Sequence, residues 1–171
     1  RDLPTPRVRV GDHGGEYVVA WASQSDIGHD IVITEVDIEN LLRTKGAIYA
    51  GFSVLVRSVG LELAEVEQVL IAGSFGQYIN VEKAIQIGLL PDMPWDRFHY
   101  LGNTSALGAF YTLVSRPMRR ELIQVARKMT YLELSADNSF YDQFMSALFL
   151  PHTDLAAFPA VMRILASRGA V

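Results

Sequence analysis

Val69-Leu70-Ile71-Ala72-Gly73-Ser74-Phe75-Gly76 joins four apolar residues to a turn bounded by two glycines. An unbroken apolar run of this length suits a strand buried on both faces, as in a parallel sheet. It breaks at Gly73, and Gly76 follows three residues later. Glycine accepts positive φ and lets a second molecule approach the backbone closely. In open α/β sheets, ligands collect just beyond the carboxyl ends of strands. Free amides in such a turn favour an anion or the polar edge of a nucleotide. The motif is neither a phosphate-binding Walker loop nor a full dinucleotide fingerprint. On spacing alone, two readings stand: a tight strand-to-helix turn, or a ligand cradle.

Downstream, Asn80 predicts an N-cap for a helix over 81–87, ended by Gly88. A short strand over 98–101 leads into Gly102-Asn103-Thr104-Ser105-Ala106-Leu107-Gly108-Ala109. Asn103 or Thr104 would cap the helix that follows, over about 105–114. Its exposed amides could hold an anion, or its small residues could serve close packing alone. A helix over 117–128 with Pro117 in its first turn comes next. A strand over 130–134, a helix from Asp137 to Phe149 and a last helix over 154–167 complete this side.

Upstream, residues 7–33 read as three short strands separated by turns at 12–15 and 26–30. Thr34 then begins the longest helix, with Asp37 three residues on in a near capping-box pattern. Ile38, Leu41, Ile48, Phe52, Leu55 and Val59 follow at helical spacing and predict the core-facing stripe, which stops at Gly60. Lys45 falls on this stripe. An unpaired ammonium is costly to bury, so it either snorkels to water or meets a nucleotide or a carboxylate. Strands alternating with helices predict an α/β domain.

The whole chain sets wider bounds. Its 171 residues fit one domain. Half are hydrophobic and only 20% are charged, which predicts apolar surface covered by another segment or a second subunit. The net charge of -4 provides no cationic footprint for nucleic acid. The cluster Arg116, Arg119, Arg120, Arg127 and Lys128 reads as a solvated helix face. With no cysteine, this chain itself can form no disulfide, cysteine-ligated iron–sulfur cluster or thiolate zinc site. His13, His29, His99 and His152 show no ligand spacing, so no metal site is expected, and no catalytic residue declares itself by pattern. No apolar stretch approaches the ~20 residues of a membrane span. The opening Arg1-Asp2-Leu3-Pro4 resembles neither a start nor a signal peptide, which predicts a piece of a larger, cytoplasmic protein.

In order, these motifs resemble a family. Asp26-Ile27 with Thr34, Asp37-Ile38 and Lys45-Gly46-Ala47-Ile48 come first. Ile71 to Gly76, Ile87-Gly88-Leu89-Leu90-Pro91, Gly102 to Ala109, Glu133-Leu134-Ser135 and Phe140 to Phe149 follow. The set, across roughly 20–151, resembles the C-terminal domain of the ferredoxin-containing reductive activators of corrinoid proteins. That resemblance implies an actin-like (ribonuclease H-like) nucleotide-binding domain, a mixed sheet flanked by helices, of the superfamily of acetate and sugar kinases, heat-shock chaperones and actin.

The resemblance further implies ATP and Mg2+ as ligands of the full-length protein, and a two-iron ferredoxin cluster upstream. It implies reduction of a Co(II) corrinoid protein to Co(I), coupled to ATP. The family's adenosine turn corresponds here to Ala72, Gly73, Ser74, Phe75 and Gly76, with Lys45, Gly102 and Asn103 as further cofactor-binding candidates. Ser74 stands where the family has glycine equally often. The first lobe's phosphate turns are absent from this chain. Two alternatives compete with the activator: a non-catalytic homodimerisation or docking module for a corrinoid protein, and a small-molecule phosphotransferase.

Overall fold

A computed structural model describes residues 5–12 and 14–169. The chain divides into two compact units, Arg1–Thr44 and Lys45–Val171. His13 and the turn containing it lie partly outside the described residues.

In the first unit, β1 (Val8–Gly11), β2 (Gly14–Ala20) and β3 (Ile31–Thr34) form an antiparallel meander in the order β1-β2-β3. Val18 is its buried residue. Arg9 fastens the meander by pairing with Glu16 at 2.6 Å and Asp30 at 2.8 Å. The Asp30 carboxyl is held below its usual range, first by the Ala22 amide and then by Arg9. Helix α1 (Glu35–Ser58) follows. The Thr34 Oγ1 accepts the Asp37 amide while Asp37 accepts the Thr34 amide and hydroxyl, a reciprocal cap with aspartate in the usual glutamate place.

In the second unit, β4 (Val69–Ala72) pairs in parallel with β5 (Phe98–Gly102), and α2 (Val81–Gln86) lies between them in sequence. Asn80 caps α2 by accepting the Lys83 amide. Then come α3 (Thr104–Val114), α4 (Arg116–Lys128), α5 (Asn138–Ser146) and α6 (Pro159–Ser167). The core gathers Tyr49, Ile85, Ala147, Phe158 and Val161 from α1, α2, the end of α5 and α6. Asp92 Oδ2 caps α6 from outside by accepting the amides of Ala160 and Val161 at 2.6 and 3.4 Å.

Four expectations are corrected. The apolar stripe of α1 is not its buried face: Ile48 and Leu55 are exposed, whereas Lys45, Gly46, Tyr49, Ala50, Ser53 and Val54 are buried. Small residues decide this. A Cβ on Gly46 would already lie 3.4 Å from the Ala147 carbonyl, so the glycine allows main chain to close on the helix. Strand β4 is not enclosed: Leu70 is 58% exposed, because β5 is its one partner among the described strands. No strand forms over 130–134. There Glu133 accepts from the Tyr131 hydroxyl and from Ser135, and such local bonds displace a ladder in favour of a 3-10 turn at Leu134–Ala136. Helix α5 stops at Ser146, and α6 begins at Pro159 after a 3-10 turn at Leu155–Ala157.

Helices α3 and α4 contain no buried residue, and Phe110, Leu113, Val114, Leu122 and Val125 are all exposed. In static light scattering, the 171-residue chain alone should therefore associate. A monomer at high concentration would show that this surface needs no cover.

Candidate functional site

The ends of β4 and β5 bring seven of the eight candidate residues, Ala72 to Gly76 with Gly102 and Asn103, to one place. The register slips by one at this point, so Ile71 faces Tyr100 but Ala72 faces Gly102. Bulges of this kind re-aim chain ends beside functional sites. Both Gly73 (φ +99°) and Gly102 (φ +72°) lie in the region that favours glycine. The Gly73 amide donates to the Gly102 carbonyl at 2.9 Å, tying the two turns together. Asn103 then accepts the Ala106 amide at 3.0 Å and caps α3, which assigns the cap to Asn103 over Thr104.

The turn itself is shaped for approach. A Cβ added at Gly73 would meet no protein atom within 4 Å, so this side of the backbone is open. Phe75 projects into solvent at 87% exposure, while Gly76 is buried under Ile71 and Tyr100. The cradle thus has a fixed floor, an open glycine flank and an aromatic at its rim. Among the described residues no group of three His, Cys, Asp or Glu side chains is placed to hold a metal ion.

Lys45 is placed elsewhere. Its side chain is fully buried, and its Nζ donates to the carbonyls of Phe149 and, at 2.7 Å, Pro151. The partners of the ammonium are therefore main-chain carbonyls, neither of the two outcomes its sequence position suggested. Desolvation lowers its pKa to about 8.

A cleft of about 660 Å³ also opens in this unit, lined in part by Ser53, Arg57, Arg97 and His152. Sequence spacing does not reveal it. His152 is buried between Tyr49 and Phe158, at ring distances of 5.2 and 5.9 Å. Its Nδ1 accepts the Asp154 amide at 3.0 Å, which puts the neutral ring's proton on Nε2. Burial lowers its pKa. Arg97 donates to the carbonyls of Ala64 and Val66. Arg97 and the His152 Nδ1 are committed to holding the fold, whereas Ser53 Oγ and His152 Nε2 are buried without a hydrogen-bond partner among the described residues.

Tyr100 also stands beside the glycine turn, and sequence spacing does not reveal it. It stands in an ordinary strand pattern, and only the pairing of β5 with β4 shows that it reaches the turn.

A family model described as the C-terminal domain of RACo, the ASKHA domain, matches residues 1–162. The chain is 33% identical over 140 residues to the corrinoid activation enzyme RamQ of Eubacterium limosum, covering 81% of this chain and 24% of that protein. It is 27% identical over 124 residues to a Co(II) methylated amine-specific corrinoid protein reductase of Methanosarcina barkeri, covering 71% and 23%. A solved structure of a reductive activator for corrinoid, iron-sulfur protein superposes with a TM-score of 0.84 at 51% identity, covering 90% of this chain and 24% of that one. The chain spans about a quarter of the length of the curated relatives it matches.

Proposed function

We propose a function from one premise: the chain belongs to the family of the C-terminal, ASKHA domain of RACo. Its fold is the actin-like α/β fold expected of that family. On this basis the chain is the C-terminal ATP-binding part of a redox activator that returns an inactive Co(II) corrinoid protein to Co(I) in an ATP-dependent manner. The names of the relatives support the corrinoid partner. The observation that carries the nucleotide reading is the open flank of Gly73, tied to Gly102 at the carboxyl ends of two parallel strands.

In this reading Ala72 to Gly76 hold the adenosine end, with Gly102 and Asn103 closing the adjoining side. The bound nucleotide supplies the free energy of hydrolysis to the activator. Mg2+ and the two-iron cluster belong to the full-length protein; this chain, lacking cysteine, can offer the cluster no thiolate ligand. The exposed apolar faces of α3 and α4 meet another part of that protein or a second copy. The setting is cytoplasmic; no helix among the described residues is long and apolar enough to cross a membrane.

Gly73→Ala in the full-length protein tests the site. The new methyl meets no protein atom, so the fold should persist despite the strained φ. It does occupy the space a ligand needs, and ATP affinity should fall about ten-fold, the equivalent of one good contact. Wild-type affinity in a normally folded variant would remove this turn from the site.

A further inference from the structure

We propose that Tyr100 is the positioning residue of the glycine turn, holding it in its ligand-accepting form through Gly73 and Gly76. The inference rests on the nucleotide reading of that turn. Tyr100 lies on β5 directly opposite Ile71, the last residue of β4 before the register slips. From there it acts on the turn in two ways. Its hydroxyl donates to the Gly73 carbonyl at 3.0 Å. Its ring covers Gly76 so closely that a Cβ there would stand 2.9 Å from Tyr100 Cε2 and 2.7 Å from Ile71 Cγ2.

These contacts complete a set. The amide of Gly73 is already held by the Gly102 carbonyl at 2.9 Å. With the Tyr100 hydroxyl on its carbonyl, Gly73 is fixed through both its main-chain polar groups. Gly76 is fixed by the ring and by its own amide, which donates to the Gly73 carbonyl at 3.2 Å. Ser74 and the exposed Phe75 therefore span two clamped ends. A glycine turn without such clamps samples many conformations, and a ligand must then supply the ordering free energy. Tyr100 removes that cost in advance.

The hydroxyl has a separable role because Tyr100 is 42% exposed. Water can replace its bond to Gly73 without stranding a buried group. Tyr100→Phe keeps the ring over Gly76 and deletes only the tether, so the fold should be indifferent while the turn loosens.

The experiment compares wild type, Tyr100→Phe and Gly73→Ala in the full-length protein. It measures melting temperature, affinity for a fluorescent ATP analogue, and kcat and KM of ATP hydrolysis. Tyr100→Phe should leave melting and kcat unchanged and raise Kd and KM together about five-fold, in the range of one lost neutral hydrogen bond. That split marks lost binding common to ground and transition states. Tyr100→Phe with wild-type affinity, beside a weakened Gly73→Ala, would overturn the role of Tyr100 and spare the site. Wild-type affinity in both would overturn the site reading and this inference with it. A Tyr100→Phe protein whose affinity falls only in step with its melting temperature would make the residue a fold contact, and the positioning role would be lost.

Discussion

Gly88→Ala is expected to destabilise the second unit by about 4 kcal/mol, a size that calls for a named collision. Gly88 follows α2 with φ +74°. Its amide donates to Ile85 and the next amide, of Leu89, donates to Ala84, which is the paired ending known as a Schellman motif. Alanine in this conformation costs roughly 1–2 kcal/mol by backbone strain alone. The larger part comes from Pro151: a Cβ on Gly88 would lie 2.0 Å from the Pro151 carbonyl oxygen and 2.8 Å from its carbon. Main chain cannot swing aside as a side chain can, and overpacking of this kind adds about 1–3 kcal/mol. The same oxygen accepts the Lys45 ammonium, so moving it weakens a second contact. Gly60→Ala is the control. Its φ is +76° with no atom within 4 Å of the new methyl, and it should lose the strain only. Urea unfolding of both variants decides the matter; equal losses would mean that Pro151 does not press on Gly88.

Much of this arrangement was legible in the residues. Local chemistry is readable because its partners are near in sequence: Asn80, Asn103 and Asp137 cap the helices they were expected to begin. The parallel pairing of 69–72 was readable from its unbroken apolar run, and the glycine ends of β4 and β5 do come together. Family resemblance supplied the nucleotide expectation, which spacing alone left open. What could not be read depends on distant partners. The buried face of α1 includes Gly46, Ala50 and Ser53, and at Gly46 the missing side chain lets Ala147 and Leu148 close in. Apolar periodicity instead favours Ile48 and Leu55, and these are exposed. Tyr100 is informative only once β4 lies beside β5. Lys45 could not be assigned because its partners are main-chain carbonyls more than a hundred residues away, and a carbonyl leaves no mark in a sequence.

Lys45→Met should cost about 3 kcal/mol, reversing the neutral or stabilising outcome expected of a lysine whose head reaches water. Two opposing effects decide the sign. Desolvation has lowered the ammonium from pKa 10.5 to about 8, a penalty of about 3.5 kcal/mol at about 1.4 per unit, and methionine relieves it. Against this stand two charge-assisted hydrogen bonds, to Phe149 and Pro151, at about 1.5–3 kcal/mol each. Their loss also strands buried carbonyls, at a further ~1–3 kcal/mol apiece where water cannot enter. Lost bonds outweigh relieved desolvation. The pH dependence provides an independent reading of the same residue. Between pH 8 and 10.5 the unfolded chain binds the Lys45 proton more tightly than the folded one. Stability should therefore rise with pH across this window, by up to about 1.4 kcal/mol per unit, and that gain disappears as pH falls through 8. Tyr49 acts oppositely: burial raises its phenol above 10, so the unfolded chain ionises first and stability drops at higher pH. The slope is best taken from about pH 8 to 10, where Lys45 dominates, and Lys45→Met should flatten it. The variant should also bind ATP as wild type wherever it remains folded, since the lysine holds the 149–151 segment. Wild-type stability with weakened ATP binding would instead return Lys45 to the nucleotide site. Combined with Gly88→Ala, the loss should fall short of the sum of the two, because both changes act on the one Pro151 carbonyl.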